Sequence, residues 1–136
     1  MSSLRARAAT LGIADRVEFL GERSDVPQLL AGADIYCQPN IEPDAFGLSM
    51  IEALTAGLPV VTSALGGAQE IVDDTCGVLV APRDPNALAS ELSSLLDDPG
   101  RRKRLGANGP ARARALCDPS VQMLRIAEIL QRAAAP

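Results

Sequence analysis

The stretch Asp44 to Glu52, DAFGLSMIE, with the ALTAGLPVV that follows, constrains this chain most. Phe46-Gly47 opens a helix that the spacing carries from Leu48 to about Ala56. Gly57 stops it, and Leu58-Pro59 feeds the apolar strand Val60-Val61-Thr62. Gly47 lets backbone approach a ligand closely, because no Cβ stands in the way. The first amides of the helix lack intrahelical partners and carry the positive end of its dipole, so a diphosphate or a ring of sugar hydroxyls can use them. Asp44 precedes that end and Glu52 lies within the helix, so the two carboxylates bracket its start. Carboxylates beside vicinal hydroxyls accept paired hydrogen bonds, a way to hold a ribose or a hexose. A solvated acid on a plain αβ loop is the bland alternative for DAFG alone.

The flanking chain alternates helix and strand. A helix is expected over Leu4 to Leu11, capped by Ser2 or Ser3, with Arg5 and Arg7 solvated. Arg16 to Leu20 reads as a short strand closed by Gly21. Val26 to Ala31 is a short helix with Pro27 in its first turn, and Ala33 to Gln38 a strand buried on both faces. Pro39-Asn40 then delivers the central loop to the carboxyl end of that strand, where ligands bind in open α/β sheets. After Val60 to Ser63, the pair Gly66-Gly67 permits positive φ or close approach, and Ala68 to Val72 starts another helix. Gly77 to Val80 is a last strand.

Asp84 and Pro85 cap the next helix, whose Leu88, Leu92, Leu95 and Leu96 form an apolar core stripe. The run Arg101 to Arg104 reads as the exposed start of a helix continuing past Gly109-Pro110 to Leu116. A last helix spans Val121 to about Ala133, with an alanine-rich tail expected to fray. Four strands alternating with helices make the expected fold α/β, a Rossmann-like parallel sheet flanked by helices.

The 136 residues suffice for one domain with a core. A formal net charge of -4, and no aromatics among the basic run, speak against a nucleic-acid binder. The chain has no histidine, which excludes His-based triads and imidazole metal ligands. Cys37, Cys76 and Cys117 lack C-x-x-C spacing and read as buried or free thiols of a reducing compartment. No G-x-G-x-x-G follows a first strand, so a dinucleotide-binding dehydrogenase is disfavoured.

DAFGLSMIEALTAGLPVV resembles the E-x7-E signature of retaining, nucleotide-sugar-dependent glycosyltransferases of family 4 with the GT-B fold, whose usual form is close to EPFGLxxxEAMAxGxPVV. The resemblance runs from about Val17 to Leu116, including RVEFLG and a GGxxEIV-like GGAQEIV. Asp44 stands where the family has Glu, one methylene shorter, and Glu42 lies two residues too early to replace it.

The resemblance implies the C-terminal, donor-binding part of such an enzyme, binding a UDP-, GDP- or ADP-sugar without cofactor or metal, with a sugar or lipid acceptor. Residues 1–136 would be one partial domain, lacking the acceptor domain, the first donor-domain strands and their basic diphosphate-gripping pair. Glu52 would meet the ribose and Asp44 the donor hexose. Phe46, Gly47, Leu48 and Ser49 would bind the sugar and phosphate, and Gly66 and Gly67 would shape the wall near the base. The enzyme would be cytoplasmic, with attachment to the inner face of the membrane left open. The chain by itself would be inactive, and open sheet edges would favour dimerisation or strand exchange. The rival reading is a non-catalytic α/β interaction or dimerisation module derived from the same fold.

Overall fold

A computed structural model describes residues 2–44 and 46–134. Helices α1 (Ser2–Thr10) and α2 (Val26–Ala31) precede strand β1 (Tyr36–Gln38). Then α3 (Leu48–Thr55), β2 (Val60–Ser63), α4 (Ala68–Ile71) and β3 (Gly77–Val80) alternate, and α5 (Pro85–Asp97), α6 (Pro99–Cys117) and α7 (Pro119–Ala133) close the chain. The sheet is parallel in the order β1-β2-β3, with Tyr36 opposite Val60 and Val60 opposite Gly77.

The apolar run of β2 places all four of its residues in the interior. Successive side chains alternate between faces. Val60 packs with Met50, Leu54, Ile71 and Val72 on the α3 and α4 side, while Val61 packs with Val80, Leu95 and Leu105 on the α5 and α6 side. A strand covered on both faces is the signature of a parallel sheet between helix layers.

Helix α6 crosses α3 closely through Gly106 and Gly109. A Cβ on Gly109 would lie 2.5 Å from the Leu54 carbonyl oxygen, and one on Gly106 would overlap the Gly57 carbonyl. Asp98 caps α6 by accepting from the Arg101 amide (2.7 Å), and Asp84 caps α5 through the Asn86 and Ala87 amides. Pro110 lies inside α6 without ending it.

Several expectations are corrected. Residues 17–20 form no strand, since no strand of this chain lies beside them to complete a ladder, and only a single 3-10 turn (Ala14–Arg16) precedes them. Three strands are found among the described residues rather than four. Strand β1 is three residues long with Cys37 exposed, not buried on both faces, because it forms an edge of the sheet. Arg5 is not simply solvated, for its guanidinium sits 5.0 Å from the centre of the Phe19 ring. Leu95 is buried, but Leu96 turns to solvent at 62% exposure, because one helical step carries it about 100° off the stripe.

Ser2 and Ser3, expected to cap α1, are instead its first two residues; the last two residues of the alanine-rich tail lie outside the described residues, and the tail stays helical through Ala133. The basic run is structural in part. Arg101 pairs with Glu91 at 3.0 Å, and Arg102 donates to the Leu95 and Leu96 carbonyls at the end of α5.

Arg112 of α6 ties down the C-terminal end of α4. It donates to the Ile71 carbonyl (3.0 Å) and the Glu70 carbonyl (2.6 Å) and lies 3.4 Å from Asp73. Bonds from the Thr75 hydroxyl, then from its amide, and the Arg112 charge hold the Asp73 carboxyl below the usual aspartate range. A carboxyl whose folded pKa is depressed adds stability that is present above its unfolded pKa and is lost as pH falls through the folded value. Urea unfolding between pH 7 and 3 is therefore expected to show a smaller acid loss in Thr75→Val than in the unsubstituted protein. Equal acid loss in both would refute the assignment.

Candidate functional site

Two loops leave the carboxyl ends of β1 and β2 on the same side of the sheet. The first, residues 39–47, leads into α3; the second, residues 64–67, leads into α4. The Thr62 hydroxyl donates to the Gln38 carbonyl (2.9 Å) and fastens the strand ends together. The loops meet where the Gly67 amide donates to the Asp44 carbonyl at 3.4 Å. Gly66 has φ +52, and a Cβ there would lie 3.0 Å from both the Asp44 oxygen and Pro43 Cβ. Any other residue would thus combine a left-handed backbone with a wedge under the Asp44 loop. Gly66 and Gly67 accordingly border the Asp44 side of the site.

Gly47 is buried with φ +76, and its missing Cβ would overlap the end of Met50 and lie 3.0 Å from Ile71 Cδ1. Glycine suits both the left-handed turn and the packing beneath it. The Gly47 carbonyl accepts from the Met50 and Ile51 amides and so starts α3. Phe46 and Leu48 project outward at 57% and 65% exposure and rim the opening.

Asp44 is half-buried. Its carboxylate accepts from the Gln38 side-chain amide (3.2 Å) and from the Phe46 backbone amide (3.4 Å). Glu52 is exposed on the second turn of α3. The Tyr36 phenol lies within reach of both acids. Burial pushes its pKa up, and the Glu52 and Asp44 charges add to the rise. Glu42 does not occupy the place of Asp44; it is exposed and pairs with Arg83 at 2.9 Å.

Both predicted acids thus come together around the start of α3. Sequence reading missed Tyr36 and Gln38; Gln38 donates to Asp44 and accepts from the Tyr36 hydroxyl. Their signal was their place at the carboxyl end of a strand next to a binding loop.

Beside Glu52, a groove of about 350 Å³ runs between α2 and α3, lined by Val26, Pro27, Leu30, Ile51, Glu52 and Thr55. Its walls are apolar and its one acid is Glu52. Among the described residues no three His, Cys, Asp or Glu side chains gather as metal ligands. No helix of the described residues is long and apolar enough to cross a membrane.

A parallel sheet between helix layers, with its loops at the carboxyl ends of the strands, defines the open α/β class, in which ligands bind at that edge. The chain belongs to the family described as Glycosyl transferases group 1, which it matches over residues 2–112. It is 44% identical over 110 residues to a D-inositol 3-phosphate glycosyltransferase of Salinispora tropica, covering 79% of this chain and 23% of that protein. A GDP-mannose-dependent monoacylated alpha-(1-6)-phosphatidylinositol monomannoside mannosyltransferase of Corynebacterium glutamicum is 36% identical over 138 residues, with 96% and 36% covered.

Among solved structures, Anabaena Alr3699/HepE in complex with UDP superposes with a TM-score of 0.89 at 32% identity, over 96% of this chain and 36% of that one. The same protein has been solved with UDP-glucose. The chain spans between 23% and 36% of the length of these relatives. The fold expected from the sequence, the C-terminal part of a GT-B glycosyltransferase, is the fold found.

Proposed function

We propose that this region binds the nucleotide-diphospho-sugar donor of a glycosyltransferase, with retaining glycosyl transfer in the full-length enzyme. The observation that carries the reading is the pair of acids at the start of α3, Asp44 held by Gln38 just before the helix and Glu52 exposed on its second turn. Glu52 accepts hydrogen bonds from the ribose hydroxyls, with the base against the apolar groove between α2 and α3. Asp44 faces the donor hexose. The Leu48 and Ser49 amides, unpaired at a helix start, face the phosphates.

In the reaction the bond from the anomeric carbon to the diphosphate oxygen breaks, and a bond to an acceptor oxygen forms on the same face of the ring. The departing diphosphate carries the electron pair away and takes up the proton of the acceptor hydroxyl. Oriented amides and basic side chains stabilise it, with no metal required. The HepE complexes support UDP as the nucleotide, and the Corynebacterium relative supports GDP. We place the enzyme in the cytoplasm or at the inner face of the membrane.

One feature favours a second reading, a non-catalytic interaction or dimerisation module. Helix α7 leaves Met123, Leu124, Ile126, Ile129 and Leu130 at least half exposed. Saturation-transfer NMR with UDP, GDP and ADP separates the two. Transfer to one nucleotide, weakened tenfold or more in Glu52→Ala as one lost hydrogen bond to a charged group implies (roughly 1.5–3 kcal/mol), supports donor binding. A folded sample that binds none of the three supports the module.

A further inference from the structure

Five side chains meet at the end of β1. The Gln38 side-chain oxygen accepts from the Tyr36 hydroxyl at 2.6 Å and from the Ser49 hydroxyl at 2.7 Å. Its nitrogen donates to Asp44 Oδ2 at 3.2 Å and to Asn40 Oδ1 at 3.4 Å. All four of the residues Tyr36, Gln38, Asp44 and Ser49 are half-buried, and they come from a strand, a loop and a helix.

The direction of these bonds is dictated by chemistry. An ionised carboxylate only accepts, so the amide of Gln38 must turn its nitrogen toward Asp44. Its oxygen then faces the two hydroxyls, each of which has a single proton to give and gives it to Gln38. The raised pKa of the Tyr36 phenol keeps that proton in place. What Tyr36 and Ser49 retain for a ligand is lone pairs.

We propose that Gln38 is a positioning residue of the donor site: it holds the short acid Asp44 in place and makes Ser49 and Tyr36 acceptors, so that this side of the site receives sugar hydroxyls and not phosphate oxygens. The inference rests on the donor-binding reading above. It gives Ser49 a partner of defined chemistry, a hydroxyl donor, while its backbone amide is left to the phosphate. It also accounts for an aspartate serving where a longer acid is usual. The amide of Gln38 fixes the carboxylate from behind, and a restrained group loses less freedom on binding.

The test compares the unsubstituted protein with Gln38→Glu and Gln38→Met. Glutamate keeps an acceptor for Tyr36 and Ser49 but places a like charge against Asp44. Methionine keeps the bulk and removes every bond. Affinities are measured by NMR titration for UDP and GDP alone and for their glucose and mannose conjugates, with thermal unfolding of each variant in parallel.

The expected result is affinity for the bare nucleotide within about twofold throughout, with the gain from the hexose cut roughly tenfold in both variants, the effect of one lost charge-assisted hydrogen bond. An unchanged hexose gain in a folded variant overturns the proposal. So does an equal loss for nucleotide and conjugate, which would mark Gln38 as merely structural, or the absence of any hexose gain in the unsubstituted protein. If methionine prevents folding, the glutamate variant decides alone. Failure of the unsubstituted protein to bind either nucleotide overturns the donor-site reading itself, and this inference with it.

Discussion

Gly109→Ala is expected to destabilise the protein by about 3 kcal/mol, although alanine is the better helix former by about 1 kcal/mol at an ordinary helix position. The sign is reversed by the neighbour. A methyl at Gly109 would stand 2.5 Å from the Leu54 carbonyl oxygen and 3.2 Å from the Leu54 Cα and carbonyl carbon, all of them backbone. Backbone cannot rotate away as a side-chain tip can, so α6 must lift from α3. That shift would also disturb Ala113, Leu58 and Met50 in the same core. Gly100→Ala in the first turn of α6 is the control. Its methyl meets only the Asp98 side-chain oxygen at 3.2 Å and the Arg104 guanidinium at 3.7 Å. A change of less than about 1 kcal/mol is expected there. Urea unfolding reads both; a Gly109→Ala protein as stable as its parent would mean that α6 does not approach α3 this closely.

Leu54→Ala and Leu95→Ala are each expected to cost about 3 kcal/mol, and together about 6. Both side chains are fully buried, so truncation loses apolar transfer energy and leaves a cavity. They occupy different cores, Leu54 with Met50 and Val60, Leu95 with Val61 and Val80, on opposite faces of one sheet. Residues with no shared partners add. A stability of 5–15 kcal/mol is typical of a domain, so the double variant is left with roughly zero to 9 kcal/mol. Coupling above roughly 1 kcal/mol in the double variant would show that the two cores act as one.

The local reading was legible wherever a short-range signal carried it. Asp84 with Pro85 marks the start of α5 in sequence and caps it in the structure, because an N-cap bond spans only two or three residues. The helix start after Phe46-Gly47 and the β2 run were visible for the same reason. The strand expected at residues 17–20 had the right alternation, but a strand exists only through its neighbours, and none lies beside it. The sequence carried a helix past Gly109-Pro110 without giving Gly109 a role. In the structure Gly109 is the contact that lets α6 reach α3, a fact held by Leu54, far away in the chain.

The sequence by itself determined the order of the elements, the α/β class, the family resemblance and the pairing of an acid before α3 with an acid within it. These follow from periodicity, caps and residue spacing, all of which act over a few residues. Only the tertiary structure decided which groups act together at the site. Gln38 reaches Ser49 across eleven positions, and Gly67 reaches the Asp44 carbonyl across the whole of α3 and β2. Such contacts depend on how two loops leave adjacent parallel strands, and strand adjacency is set by the packing of both sheet faces. The direction of the hydrogen bonds around Gln38 likewise arises only once a carboxylate, an amide and two hydroxyls have been brought within 3.2 Å links of one another.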